Sequence, residues 1–355
     1  MQIKDSPAMI RTSHNLKTLA LLSLTVVCFM LDVSLGSVYI PFPAILDILG
    51  GQEAERSSWV QIVWQFRLPK AITAIAAGAG LALSGLQMQT LFRNPLAGPF
   101  VLGISSGASL GVALLVMAGF SLGGILVLDG AYGRWLIVIA ASMGSGLVLM
   151  LVVAATIRIK DSMTLLILGL MFGSATGAIV SVLQFFSQAD QIQAYLIWTF
   201  GSLGGLNWLD LYILIPVTIA GVLISLFLCK PLNALLLGEN YAQSMGLNLK
   251  ATRLWIIIST SLLAGAITAF CGPIAFVGIT VPHFARIIFN TSDHKVLIPA
   301  TLISGALLLL VCDIIAQLPG HEQTLPINAV TSLFGAPVVI WIILRKRNIS
   351  KNFAG

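Results

Sequence analysis

Charge is what this sequence has least of. Only 9% of its 355 residues are Asp, Glu, Lys or Arg, while 57% are hydrophobic; a soluble domain carries about 25% charged residues. So thin a supply cannot cover a globular surface in water, and lipid must be the solvent for most of the chain. Cysteine is also scarce. Cys28, Cys229, Cys271 and Cys312 lie in apolar runs without CxxC spacing, which excludes a disulfide framework or a zinc site and leaves small buried hydrophobes. No Gly-Lys pair occurs anywhere, so the chain has no Walker loop with which to cradle nucleotide phosphates. No catalytic residue, metal site or cofactor of its own is expected.

Apolar runs are there in abundance. A bilayer-crossing helix needs roughly 20 mostly apolar residues, and such runs fall near 17–36, 71–91, 101–119, 135–157, 162–186, 211–229, 296–316 and 325–344. The stretch from Leu254 to Ala285 contains no Asp, Glu, Lys or Arg and is too long for one span. Gly272-Pro273 breaks it, because proline removes a helical N–H and clashes with the preceding turn. The expectation is an all-α polytopic protein of about ten spans: a tail over 1–16, a membrane domain over 17–344 with an inner loop at 230–253, and a second tail over 345–355. The basic residues near the N-terminus followed by an apolar core resemble a secretory signal, but no clean cleavage site follows, so this segment reads as the first span.

Ten spans put both termini on one side, and with the termini inside, fifteen of the nineteen Lys and Arg residues are inside too. Only Arg56, Arg67, Lys70 and Arg134 fall outside. Inner loops hold the basic excess, so both termini are expected in the cytoplasm. Trp59, Trp64, Trp135, Trp198 and Trp208 gather on the outer side as an interfacial belt. The net charge of +6 does not indicate nucleic acid, because the basic residues are spread over six inner segments instead of one patch.

Residues 93–111 read RNPLAGPFVLGISSGASLG. Pro95 and Pro99 stop the preceding helix, and Gly103, Ser105, Ser106, Gly107 and Ala108 open the next. Small residues allow close helix approach in lipid; a part in a conduit or its moving parts is the alternative. Gly103-Ile-Ser105-Ser-Gly107 also fits the G-x-S-x-G nucleophile elbow, but that motif needs a strand before it and a histidine and an acid nearby. An all-helical membrane chain offers no such strand. Gly169, Gly173 and Gly177 repeat every four residues and share one helical face, suited to close packing or to a smooth pathway wall. Intramembrane acids are few: Asp313, and Asp32 near the outer end of span one. Each is a functional candidate by default, with a hydrogen bond to a neighbouring helix as the plainer reading. The inner loop KPLNALLLGENYAQSMGLNLKATRLW can form one short half-apolar helix from Asn233 to Met245, ended by Gly246. A half-apolar helix facing the cytoplasm calls for a protein partner or the membrane surface.

At these residues the chain resembles the bacterial permease subunits of ABC importers for iron chelates, haem and cobalamin. The likeness covers nearly everything after the first helix. Its pieces run in family order: RLPK at Arg67, RNPLAGPFVLGISSGASLG at Arg93, WTFGSL at Trp198 and LGENYAQSMG at Leu237. They continue with GPIAFVGITVPHFAR at Gly272, DHKVLIPATLISGALLLLVCDIIAQ at Asp293 and LPINAVTSLFGAPVVIWII at Leu325. The resemblance implies the type II ABC importer transmembrane fold. It also implies a second permease subunit, identical or a sister chain, two separate cytoplasmic ATPase subunits and an extracytoplasmic substrate-binding protein.

Residue roles follow from the same likeness. Leu237, Gly238, Glu239, Tyr241, Ala242, Met245 and Gly246 would form the coupling element in the ATPase cleft. Gly169, Gly173 and Gly177 would line the pathway. Arg56 and Arg67 would dock the binding protein, with a structural reading beside the second because its motif is family-wide. Arg93, Asn94, Pro95, Gly103, Ser105, Gly107, Gly278, Pro282, His283 and Arg286 carry the family motifs. Two departures stand out: Thr324 precedes LPIN, with His321 and Glu322 upstream, where the family has an acid, and Gln317 stands where it has arginine. An ion-driven secondary transporter acting without an ATPase is the rival class, and which chelate is carried is not written in the sequence.

Overall fold

A computed structural model describes residues 7–36, 38–52, 56–118, 130–159, 162–317 and 323–349. Among them every regular element is a helix. In lipid this is the only open solution, since each backbone N–H and C=O must find its partner within the segment. Seven helices are long and apolar enough to cross a membrane, and three shorter apolar ones accompany them at Ile104–Ala118, Val277–Phe289 and Ile327–Trp341. These match the ten expected spans one for one.

In chain order, α1 is Pro7–Ser34 and α2 is the short Phe42–Leu49. Then α3 (Ser57–Gln61), a π-helical stretch at Ile62–Arg67 and α4 (Leu68–Leu91) make one continuous rod. A 3₁₀ turn at Pro99–Leu102 leads into α5 (Ile104–Ala113), which continues as a π-helical turn to Ala118. Helices α6 (Gly130–Arg158), α7 (Ser162–Phe186), the short α8 (Ala189–Thr199) and α9 (Trp208–Phe227) follow. Two small helices, α10 (Cys229–Leu236) and α11 (Glu239–Ser244), precede α12 (Leu249–Cys271), α13 (Val277–Phe289), α14 (His294–Ala316) and α15 (Ile327–Ile349). The expected tail over 1–16 is not separate from the first span: α1 starts at Pro7, and His14 and Lys17 donate to the Phe289 and Ile288 carbonyls at the end of α13, at 3.0 and 2.8 Å.

Helix α4 is the centre, packed by α14, α12, α13 and α9. Its glycines explain how. A Cβ at Gly85 would sit 1.8 Å from the Gly278 carbonyl oxygen of α13, and one at Gly78 would sit 2.2 Å from that of Gly305 in α14. Backbone meets backbone at both crossings, the way helices associate where lipid gives no hydrophobic drive. Helices α5 and α6 repeat the device, with the Gly107 and Gly144 positions each facing the other's carbonyl. A buried polar knot threads the same core. The Gln87 amide donates to the hydroxyls of Ser225 and Ser259, and Thr260 donates to its carbonyl at 2.8 Å.

The break expected at Gly272-Pro273 is present, with α12 ending at Cys271 and α13 starting at Val277. Gly272 takes φ +73, with the Trp198 carbonyl 2.6 Å from where a Cβ would sit. Phe276, also left-handed at φ +67, lays its side chain on Gly335 of α15. The 13 residues of α13 rise about 20 Å at 1.5 Å each, shorter than the hydrocarbon core of a bilayer.

Candidate functional site

The inner loop does not form the single helix expected from Asn233 to Met245. Leu228 ends α9, α10 begins at the next residue, and the chain breaks at Gly238, whose φ of +109 suits glycine alone. Helix α11 follows, and Gly246 at φ +86 turns the chain towards α12, where the Asn248 side chain accepts from the Ala251 N–H. Leu232 and Leu235 of α10 are buried in a cluster with Met88, Leu91, Phe92, Ile256 and Ile257, and α10 packs on the ends of α4 and α14. Ala242 holds α11 down with no exposure, and Glu239 is pinned by Arg253 of α12 at 2.6 Å.

The other side of this loop is bare. Leu237, Tyr241 and Met245 are 62, 56 and 62% exposed. Leu237 precedes the break at Gly238, Tyr241 lies within α11 and Met245 caps its end. Next to them lies a groove of about 760 Å³ lined by Leu91, Phe92, Arg93, Met163 and residues 237–241. Arg93 sits at positive φ at the foot of α4, its guanidinium over Gly238. The structure thus brings the Arg93 motif and the LGENYAQSMG segment, more than 140 positions apart in sequence, onto one surface at the same end of the bundle.

The other motif residues pack the bundle. The Asn94 side-chain Oδ1 accepts from the Leu96 N–H at 3.0 Å, shaping the turn that carries Pro95. Gly103 adopts φ +76 between the 3₁₀ turn and α5. Ser105 lies in the first turn of α5, with no strand among the described residues to build a nucleophile elbow. Gly278 closes on Pro99 and Leu81, Pro282 is buried within α13, and the His283 ring stands 6.2 Å from that of Trp341. Arg286 donates to the Gln89 carbonyl oxygen, and the Gln89 amide donates to the Ile279 carbonyl at 3.0 Å.

The three glycines of α7 do not behave alike. The Gly169 carbonyl and the Gly173 backbone nitrogen lie 3.1 and 3.5 Å from the Cβ position of Gly103, a Cβ at Gly173 would meet the Ser106 hydroxyl at 3.4 Å, and nothing lies within 4 Å of a Cβ at Gly177. The stripe is closed at its inner end and open towards the outer one. Around it α7 exposes Met163, Ile167, Leu170, Met171, Val182 and Phe185.

At the opposite end of the bundle Arg56 is exposed, with its guanidinium 5.3 Å from the Trp59 ring centre. Arg67 requires a correction. Its guanidinium is buried and donates to the Val33, Ser34 and Val38 carbonyls at the end of α1, so it ties α1 to the central rod and offers no edge for docking. Beside it Lys70 pairs with Asp313 at 3.0 Å, and the Gln317 amide donates to Asp32 and Asp313 at 2.7 and 3.0 Å. Both intramembrane acids are therefore spent on neighbours. Gln317, at one of the departures from the family pattern, is the residue that joins them; His321 and Glu322 lie outside the described residues. Sequence reasoning also missed an outer cavity of about 310 Å³ between α6, α8 and α12, with Arg134, Asp210 and Trp198 among its lining. Its walls come from separate segments that no single motif spans.

Such a bundle, with broken helices, glycine crossings and a bare inner element, is that of a polytopic membrane permease. Residues 24–345 match the FecCD transport family, and the chain belongs to that family. Among its relatives is the vitamin B12 import system permease protein BtuC of Klebsiella pneumoniae subsp. pneumoniae, 36% identical over 80% of this chain and 83% of the relative. The protein of the same description from Citrobacter koseri is 34% identical over the same shares. A solved ABC transporter described as of the metal-chelate type, in an inward-facing conformation, superposes with a TM-score of 0.79 at 27% identity. That match covers 92% of this chain and 98% of the solved one.

Proposed function

We propose that this chain is the permease subunit of an ABC importer for an iron chelate, haem or cobalamin. It forms half of a translocation pathway with a second permease and receives its driving force from separate ATPase subunits on the inner face. The observation that carries this reading is the bare apolar side of the 237–246 element. Leu237, Tyr241 and Met245 face outward from the inner surface, while their own element is held to the bundle by Ala242 and the Glu239–Arg253 pair. Exposed apolar side chains on an element fixed from behind suit a partner that pushes it.

Mechanically the chain does no chemistry. Nucleotide-driven closure of the partner displaces α11, and α10, seated by Leu232 and Leu235, passes the displacement to packed helices that move as rigid bodies. The outward-opening side of α7 at Gly177 supplies a smooth wall, and large chelates need few dedicated contacts there. Exposed Arg56 offers a cation to an acidic binding protein outside. A lipid bilayer of the cell (inner) membrane type, with both termini cytoplasmic, agrees with the basic excess of the inner loops.

The rival, an ion-driven carrier, needs free intramembrane acids. Asp32 and Asp313 are both tied to Gln317, and Asp313 also to Lys70, which speaks against it. Co-purification decides: Tyr241→Ala should reduce the ATPase subunits retained on the permease or uncouple their hydrolysis from uptake. Unchanged retention together with unchanged uptake overturns the coupling role.

A further inference from the structure

Behind the coupling element lies a polar chain, buried at its centre, that none of the sequence motifs indicated. His294, the first residue of α14, has no exposed surface. Its backbone N–H donates to the Asn233 carbonyl oxygen at 2.9 Å, and its ring Nδ1 meets the same oxygen at 2.7 Å. The Asn233 amide donates to Asp293 at 2.6 Å, which fixes which way that side chain is turned. On the far side of the ring, Nε2 meets the Thr90 hydroxyl of α4 at 2.9 Å. The Asn233 oxygen can only accept, which places the neutral ring's proton on Nδ1, while the Thr90 hydroxyl lies between Nε2 and the Leu86 carbonyl, 2.9 Å from each. One imidazole thus joins three elements: α10 of the coupling loop, the foot of α14 and the foot of α4.

We propose that His294 is the positioning residue that transmits movement of the coupling loop to the α4–α14 pair. The inference rests on the reading of 237–246 as the coupling element and deepens it. A hydrogen-bonded junction centred on a buried ring resists shear better than apolar contact, which slides at little cost. Above the junction α4 and α14 are locked backbone to backbone at Gly78 and Gly305, so they travel together. The 24 residues of α4 carry the motion about 36 Å at 1.5 Å per residue. At their outer end Lys70 of α4 grips Asp313 of α14, and Gln317 ties in Asp32 of α1. A displacement entering at Asn233 therefore leaves at the outer face without passing through a flexible joint.

The test uses the complete complex, with ATPase and binding protein, in proteoliposomes. It measures ATP hydrolysis beside uptake of cobalamin and of a ferric hydroxamate, taking whichever the intact complex transports. His294→Ala should leave subunit retention and hydrolysis near the wild-type rates while uptake per ATP falls about tenfold, within the range of ordinary coupling energies. Asn233→Ala should do the same. The double variant should be no worse than either single one, because both break one chain. Thr301→Val, equally buried on α14 and outside the chain, should change nothing. If His294→Ala fails to assemble, Asn233→Ala and the isosteric Thr90→Val decide. Wild-type uptake per ATP in the relay variants, or additive losses in the double variant, overturns the proposal. Should Tyr241→Ala uncouple while the relay variants do not, only the relay falls; should Tyr241→Ala also leave uptake unchanged, the coupling reading itself falls.

Discussion

Helices α4 and α7 look alike as strings of letters and do opposite things. Both are apolar, glycine-bearing and close to 25 residues long. Yet the span that includes α4 is 83% buried within the chain and that of α7 only 22%. In α4 a Cβ on Gly78 or Gly85 would enter another helix's backbone, whereas on Gly177 it would meet nothing. Glycine in the first is a locking surface, and in the second a smooth exposed one. Apolarity says that a helix enters the bilayer; what it faces there is set by where small residues find small residues on a neighbour.

The comparison can be broken in graded steps. The largest effect belongs to Gly85→Leu. With the Gly278 carbonyl 1.8 Å from the Cβ position, the α4–α13 crossing must separate, and the yield of folded, monodisperse protein in detergent should collapse. Normal yield and melting temperature would show that the crossing is not a lock. Next comes Lys70→Met, which leaves buried Asp313 without its cation. Breaking a buried pair costs about 3–5 kcal/mol; the lower end applies here because Lys70 is partly exposed, and a fall in thermal stability in detergent reads it. No shift would mean that Gln317 alone satisfies the acid.

Gly173→Leu should reach the membrane in normal amounts and retain its ATPase subunits, yet lose most uptake, because it narrows the exposed wall of α7. Uptake at the wild-type rate removes α7 from the pathway. The smallest effect is that of Gly177→Ala, where there is open space for a methyl. Stability should stay within about 0.5 kcal/mol, as for surface substitutions generally. A marked loss would place an unseen neighbour there.

How much of this was legible in the sequence divides along similar lines. The number of spans and the break at Gly272-Pro273 follow from local rules: apolar length and proline geometry. The split of the inner loop at Gly238 was missed because a glycine after LLL reads equally well as interior or end until its φ is known. Arg67 was assigned to docking from the family likeness, with a structural role beside it; only the fold brings the end of α1 within reach of its guanidinium and decides for the second. The His294 junction was invisible for the same reason, its partners Asn233 and Thr90 being 61 and 204 residues away. Long-range polar pairing leaves no periodic trace.

Solute accumulation in proteoliposomes, with the purified chain alone and then with its ATPase, binding protein and ATP, puts the whole account at risk. The account predicts no uphill uptake by the chain alone under any ion gradient, and uptake once the ATPase and nucleotide are supplied. Accumulation driven by a proton or sodium gradient without the ATPase would contradict it.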